Sequence, residues 1–143
     1  MSRQMSCKPN TGNAGNWYSW PAATTGGYHT TEGFNEPSSV CPKGWQMTIN
    51  TGANPKSWYY LFRNTYGIQD NNDSKLRPLP LSFIRSGRYY QGSLYSRATD
   101  GFYWSSTAQN SNRAYYLTFY FGSLTPQSFN GKYLGHSVRC VSR

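Results

Sequence analysis

This chain has to build its interior from aromatic rings. Of 143 residues only 21 are Leu, Ile, Val or Phe, whereas Tyr numbers 13, Phe 7 and Trp 5. So few aliphatic side chains put a sequence near the composition of disordered chains. Two features oppose disorder. Charged residues make up only 13%, so self-repulsion is weak, and each ring removes a large apolar area from water when it is buried. The expectation is one folded, loop-rich domain over 17–143, preceded by a flexible, polar, Gly- and Asn-rich arm over 1–16. Coiled coil, helical bundle and collagen are excluded by composition. No stretch approaches the roughly 20 apolar residues of a membrane-spanning helix, so no membrane insertion is expected.

Periodicity divides the chain into a loop-rich first part and a strand-rich second part. The best helix runs from Pro55 to about Tyr66, with Asn54 as N-cap, Pro55 at the first position and Gly67 as the stop. Trp58, Leu61, Phe62 and Tyr66 then share one face. Val40–Met47 reads as a short buried element. Beyond it, short runs between Gly, Ser and Asn turns predict strands at Leu81–Ile84, Gly101–Trp104, Arg113–Phe121 and Ser137–Ser142. The clearest is Arg113–Phe121. Period 2 places Tyr115, Leu117, Phe119 and Phe121 on one face, the expected core side, and Ala114, Tyr116, Thr118 and Tyr120 on the other.

Charge is distributed unevenly. The net charge of +9 comes almost wholly from residues 75–143, which hold nine basic side chains and one acid, Asp100. A basic, aromatic half suits an acidic glycan, an acidic protein or nucleic acid, and equally a plain soluble surface.

Catalytic chemistry finds little support. The five carboxylates, Glu32, Glu36, Asp70, Asp73 and Asp100, form no acid–base pattern, and no nucleophile-elbow, zinc-protease, P-loop or dinucleotide motif occurs. Asp70–Asp73 (DNND) offers oxygen ligands but lacks the glycine and distal glutamate of an EF-hand, and reads as a solvated turn. Ser105, Ser106 and Thr107 offer hydroxyls without a partner base. Cys7, Cys41 and Cys140 make no metal-binding pair, and an odd count leaves at least one thiol unpaired within the chain. The expectation is a non-enzyme with no catalytic residue, no metal site and no cofactor.

Eight of the 13 tyrosines lie between Tyr89 and Tyr133. Tyr mixed with Ser, Gly and Asn is the composition of an antibody paratope, because Tyr gives large contact area at low rotamer cost. On these grounds the second half carries a binding surface.

Three fragments occur in order: Cys41-Pro-Lys-Gly-Trp45, Gly101-Phe-Tyr-Trp-Ser-Ser-Thr107 and Gly135-His-Ser-Val-Arg-Cys-Val141, with Ala114-Tyr-Tyr-Leu-Thr-Phe119 between the last two. Over roughly 17–143 they resemble the Fibrobacter succinogenes major paralogous domain. The resemblance implies an α+β, C-type-lectin-like fold of twisted antiparallel strands with one or two helices and the two ends close together. It also implies a Cys41–Cys140 disulfide. The calcium-ligand tripeptides of sugar-binding lectins do not occur. The C-terminal stretch is similar to the variable proteins diversified by retroelements, in which substitution of template adenines turns Asn codons into codons for Tyr, Ser, Gly, Thr, Arg, His or Phe. Compatible residues here are Arg113, Tyr116, Thr118, Tyr120, Gly122, Thr125, Ser128, Phe129, Tyr133 and His136. Leu117, Phe119, Pro126, Gly135 and Ser137–Cys140 read as scaffold between them.

This resemblance implies a receptor-recognition protein on a cell or virion surface. Its partner would be a protein or surface polymer of a host or neighbouring cell. Residues 1–20 show no signal peptide. The ten compatible positions are expected to form one solvent-accessible patch, with Arg88, Tyr90, Tyr95 and Tyr103 at its edge. The alternatives are an undiversified adhesion or structural domain of the same fold, and a basic nucleic-acid-binding module, which is the weaker of the two.

Overall fold

A computed structural model describes residues 7–8, 16–68, 73–78 and 81–143. It is a mixed, strand-rich α+β structure with short helices and small antiparallel sheets. Of the expected arm, only Cys7, Lys8 and Asn16 lie among the described residues. Cys7–Lys8 (β1) pairs antiparallel with Trp17–Tyr18 (β2). A single helical turn, Trp20–Ala23 (α1), follows, capped by the Ser19 hydroxyl accepting from Ala22 N. Trp45–Met47 (β3) comes next, then Trp58–Tyr60 (α2), which continues as one π turn over Leu61–Thr65.

The second half supplies the hairpin Arg88–Tyr90 (β4) and Ser93–Tyr95 (β5). The main sheet follows: Asp100–Ala108 (β6), Arg113–Tyr120 (β7) and Ser123–Gly131 (β8), in the order β6-β7-β8. Cys140–Ser142 (β9) returns to pair with β3, with Met47 opposite Cys140. The Cys41–Cys140 disulfide closes the same junction, with Cα atoms 5.8 Å apart and 99 residues between the cysteines. In the chain-entropy model a loop of this length is worth about 4–5 kcal/mol.

β6 and much of β7 are buried on both faces, and this places everything else. Every residue of β6 from Gly101 to Ala108 is buried. One face of the sheet packs Tyr103, Leu117, Phe119 and Leu124 against Trp58, Leu61, Phe62 and Phe83. The other packs Phe102, Trp104, Ala114 and Tyr116 against Trp20, Met47 and Leu134. Rings meet edge to face, as at Phe83–Tyr103 (5.2 Å) and Trp104–Tyr116 (6.0 Å), and stacked, as at Tyr103–Phe119 (5.9 Å), so the scarce aliphatics are replaced by aromatic layers. Gly101 is required by this packing, because a Cβ there would overlap the Phe119 ring. The outer edge of β6 is closed by irregular segments: Trp104 N donates to Ser137 O, Ser106 N to Thr48 O and Ala108 N to Phe34 O.

Several sequence expectations are corrected. The helix begins after Ser57, whose hydroxyl accepts from Tyr60 N, because Asn54 Oδ1 is taken by Lys56 N in a local turn. Leu81–Ile84 is not a strand: Ser82 takes φ +51° and breaks the extended run. The final strand spans Cys140–Ser142 rather than 137–142, and Trp45 is exposed rather than core. Phe121, expected inside, is 83% exposed, because the chain already turns at Gly122 (φ +75°). Tyr115 is half-buried, and its hydroxyl donates to Glu32 Oε1 at 3.0 Å.

Candidate functional site

Register assigns the faces. Paired residues of an antiparallel sheet point the same way. Tyr116 faces Ser128, Thr118 faces Thr125, and Tyr120 faces Ser123, with a bulge on β8 between the first two pairs. Phe102 of β6 stands opposite Thr118 and completes the row. Tyr116, Thr118, Tyr120, Thr125 and Ser128 therefore share one face, as period 2 predicts. Its burial is graded. Ala114 is fully buried, Tyr116 is 8% exposed, Thr118 is intermediate, and Tyr120 is 48% exposed. The α1 and β3 side of the molecule roofs the near end, and the face opens toward the Gly122 turn.

Arg88 joins this face to a second group. Its guanidinium lies 5.2 Å from the Phe102 ring centre. Two residues along the same strand, Tyr90 contacts Tyr133 (5.5 Å) and Tyr95 (6.2 Å). Tyr133 and Tyr95 are 44% and 45% exposed. The candidate surface thus runs from Thr118, Tyr120, Thr125 and Ser128 past Arg88 to Tyr90, Tyr95 and Tyr133.

The expected single patch breaks at five residues. Arg113 and Phe129 lie on the opposite face, where the guanidinium sits over the Phe129 ring at 5.8 Å and Tyr115 packs on the same ring at 5.8 Å. Tyr103 is core: its hydroxyl donates to Ile84 O at 2.9 Å and accepts from Ile84 N at 3.1 Å, and burial raises its pKa. Tyr116 is buried among Phe102, Trp104 and His136, and desolvation raises its pKa too. His136 is fully buried, stacked on Phe102 at 5.3 Å with Trp104 at 4.2 Å. These three side chains are unavailable to a ligand: Tyr103 faces the same core as Leu117 and Phe119, and long-range packing by Trp20, Met47 and Leu134 covers the face that carries Tyr116, against which His136 packs.

The potential catalytic groups are committed elsewhere. Ser105 Oγ donates to Tyr115 O, Ser106 Oγ to Thr48 O, and the Thr107 hydroxyl to Asn35 Oδ1. His29 Nδ1 meets Glu36 Oε1 at 2.7 Å. Asp73, from the acidic turn, is buried against Arg85 rather than open to a cation. Lys132 is also buried: its ammonium donates to His29 O at 2.8 Å over the Trp20 ring, and desolvation lowers its pKa.

Sequence reasoning missed Ser123 of β8, which stands opposite Tyr120 in register. Among the described residues no helix is long and apolar enough to cross a membrane. No family model, curated protein or solved structure matches this chain.

Proposed function

We propose that the chain is a ligand-recognition module of C-type-lectin-like fold, displayed at a cell or virion surface. It binds a protein or surface polymer of a host or neighbouring cell through a Tyr- and hydroxyl-bearing face that a retroelement diversifies. The observation that carries this reading is the burial of β8. Of its nine residues only Leu124 and Gly131 are buried; the other seven are exposed or intermediate. A strand so placed can change Thr125 and Ser128 on this face while Leu124 and the disulfide-closed frame hold the backbone. Surface changes away from special backbone sites usually alter stability by no more than about 0.5 kcal/mol. The exposed Tyr120, Tyr133 and Tyr95 add paratope-like chemistry. A disulfide suits an oxidising, extracellular setting.

The gene neighbourhood tests the diversification. A reverse-transcriptase gene should lie nearby with a near-identical template repeat, and its adenine-linked differences should fall on Thr118, Tyr120, Thr125, Ser128 and Tyr133. Absence of any such repeat removes diversification from the reading. Display of a library varied at these five positions tests the rest. Most members should remain folded and bind different targets, and a library that mostly unfolds refutes the assignment of the face.

A further inference from the structure

Between β9 and the segment that carries α2 runs a groove of about 400 Å³. Trp58, Leu61 and Phe83 form its apolar floor, and they pack on the Leu117 and Phe119 side of the main sheet, away from Tyr120. Tyr66 stands 40% exposed on one wall, and Lys56 and Arg139 bring two cations to the groove. The other wall is the backbone of Cys140–Ser142. We propose that this groove is a second docking site, which takes an extended, acidic peptide segment of a partner protein as an added strand on β9.

Backbone geometry is the first argument. Among the described residues β9 pairs with β3 alone, in a two-stranded sheet. Along an antiparallel pair, hydrogen-bonded and non-hydrogen-bonded positions alternate. Arg143 N donates to Gly44 O at 3.0 Å, whereas Trp45 N turns the other way, to Pro42 O at 2.9 Å. Val141 therefore bonds toward β3, and Cys140 and Ser142 direct their N–H and C=O groups outward. Lys56 marks that side, since its ammonium donates to Ser142 O. The N–H and C=O of Cys140 and the N–H of Ser142 remain for a partner strand. An edge of this kind is a template for β-strand addition.

Charge is the second argument, and it selects the occupant. Among the described residues neither Lys56 nor Arg139 forms an ion pair, and no carboxylate lines the groove. The Arg139 guanidinium lies 4.3 Å from the Phe83 ring centre. That contact holds the cation in place before a ligand arrives, so little side-chain entropy is lost on docking. Carboxylates on the incoming strand supply the missing counter-charges. The side chains that alternate with them point to the opposite face of the strand, where apolar ones can cover Trp58, Leu61 and Phe83. A second copy of this chain is a poor occupant, because each copy carries a net charge of +9. Residues 1–16 of the chain itself are also poorly matched, since they hold Arg3 and Lys8 and no acid.

NMR titration of the isotope-labelled chain, with its disulfide intact, tests the site. The probes are three capped peptides at millimolar concentration: Val-Glu-Val-Glu-Val, Val-Lys-Val-Lys-Val, and the glutamate peptide with its backbone nitrogens methylated. The glutamate peptide should shift the Cys140 and Ser142 amide signals and the Trp58 indole signal. The lysine peptide should leave them in place. The methylated peptide keeps both carboxylates but cannot donate to Cys140 O, and should bind about threefold more weakly or worse. Lys56→Gln/Arg139→Gln should bind the glutamate peptide about three- to tenfold more weakly than the parent, and Arg113→Gln, at the far end of β7, should bind it as the parent does. Should the double variant misfold, the contrast between the glutamate and lysine peptides on the parent chain decides the role of charge. No shift, shifts confined away from β9, equal binding of the lysine or the methylated peptide, or a folded double variant that binds as the parent does would overturn the proposal. The tyrosine face takes no part in this readout, so the two sites stand or fall separately.

Discussion

His136 makes the stability of this protein depend on pH in a calculable way. The imidazole is fully buried, and neither ring nitrogen has a hydrogen-bond partner. Burial first, and the nearby Arg88 charge second, push its pKa down to about 3, with the Gly135 backbone opposing them weakly. In the unfolded chain the ring titrates near its ordinary value of about 6.5. Between those values the unfolded state holds a proton that the folded state refuses. The stability associated with the neutral ring is therefore complete above about pH 6.5 and declines as pH falls toward 3. Linkage gives a slope near 1.4 kcal/mol per pH unit at pH 5, and a fall of about 3 kcal/mol between pH 6.5 and 4. Guanidinium unfolding with the disulfide intact, at half-unit pH steps, measures it. His136→Leu has similar volume, removes no hydrogen bond, and should keep pH 7 stability within about 1.5 kcal/mol. The variant should lose this component of the slope. A parent curve flat from pH 6.5 to 4, or an unchanged slope in the variant, would refute the reasoning.

Other perturbations follow from the same packing. Tyr116→Ala should cost about 3–5 kcal/mol in a denaturant melt, comparable with Phe119→Ala, whereas Tyr120→Ala and Tyr133→Ala should each cost about 1 kcal/mol or less. Cys41→Ser/Cys140→Ser should lose about 4–5 kcal/mol, and the parent in excess reductant should show the same loss. Arg85→Ala leaves the buried Asp73 carboxylate without its main partner and should cost about 3–5 kcal/mol, measured at pH 7, most of it recovered by also changing Asp73→Asn. Gly101→Ala should destabilise by at least about 2 kcal/mol, because its new methyl group meets the Phe119 ring, and Gly101→Ala/Phe119→Leu should regain part of that loss.

How far the sequence discloses the fold depends on the range over which each feature is determined. Alternation along 113–120 is local, and the structure keeps its parity: Leu117 and Phe119 point to one core and Tyr116, Thr118 and Tyr120 to the other face. Period 2 cannot say that a second face is covered too, since that depends on Trp20, Met47 and Leu134, up to 96 residues from Tyr116 in the chain. This is why Tyr116 and His136 read as surface and lie inside. The helix shifted because two capping solutions compete over four residues, with Asn54 closing its own turn and Ser57 taking the cap. Exposure of Phe121 follows from a turn placed one residue earlier than the hydrophobic run suggests.

Burial of β6 and much of β7 on both faces explains how a chain poor in aliphatics carries an exposed tyrosine surface at all. The rings that stabilise are those with partners above and below: Trp104 against His136 and Tyr116, and Phe83 against Trp58, Tyr103 and Phe119. β6 is sealed on its outer edge by the 34–36, 48 and 137 segments, so both of its edges are hydrogen-bonded without β8. β8 then needs only Leu124 for the core and its register with β7 for the rest. Affinity in such a surface comes from a few rigid aromatic anchors surrounded by adaptable polar groups. In the proposed recognition face Tyr120, Tyr133 and Tyr95 would supply the anchors, and Thr118, Thr125 and Ser128 the adaptable ring around them. The same division sets where change is tolerated. A substitution at Thr125 alters contact chemistry alone, whereas one at Leu124, its neighbour in sequence, opens a cavity against Trp58 and Phe62.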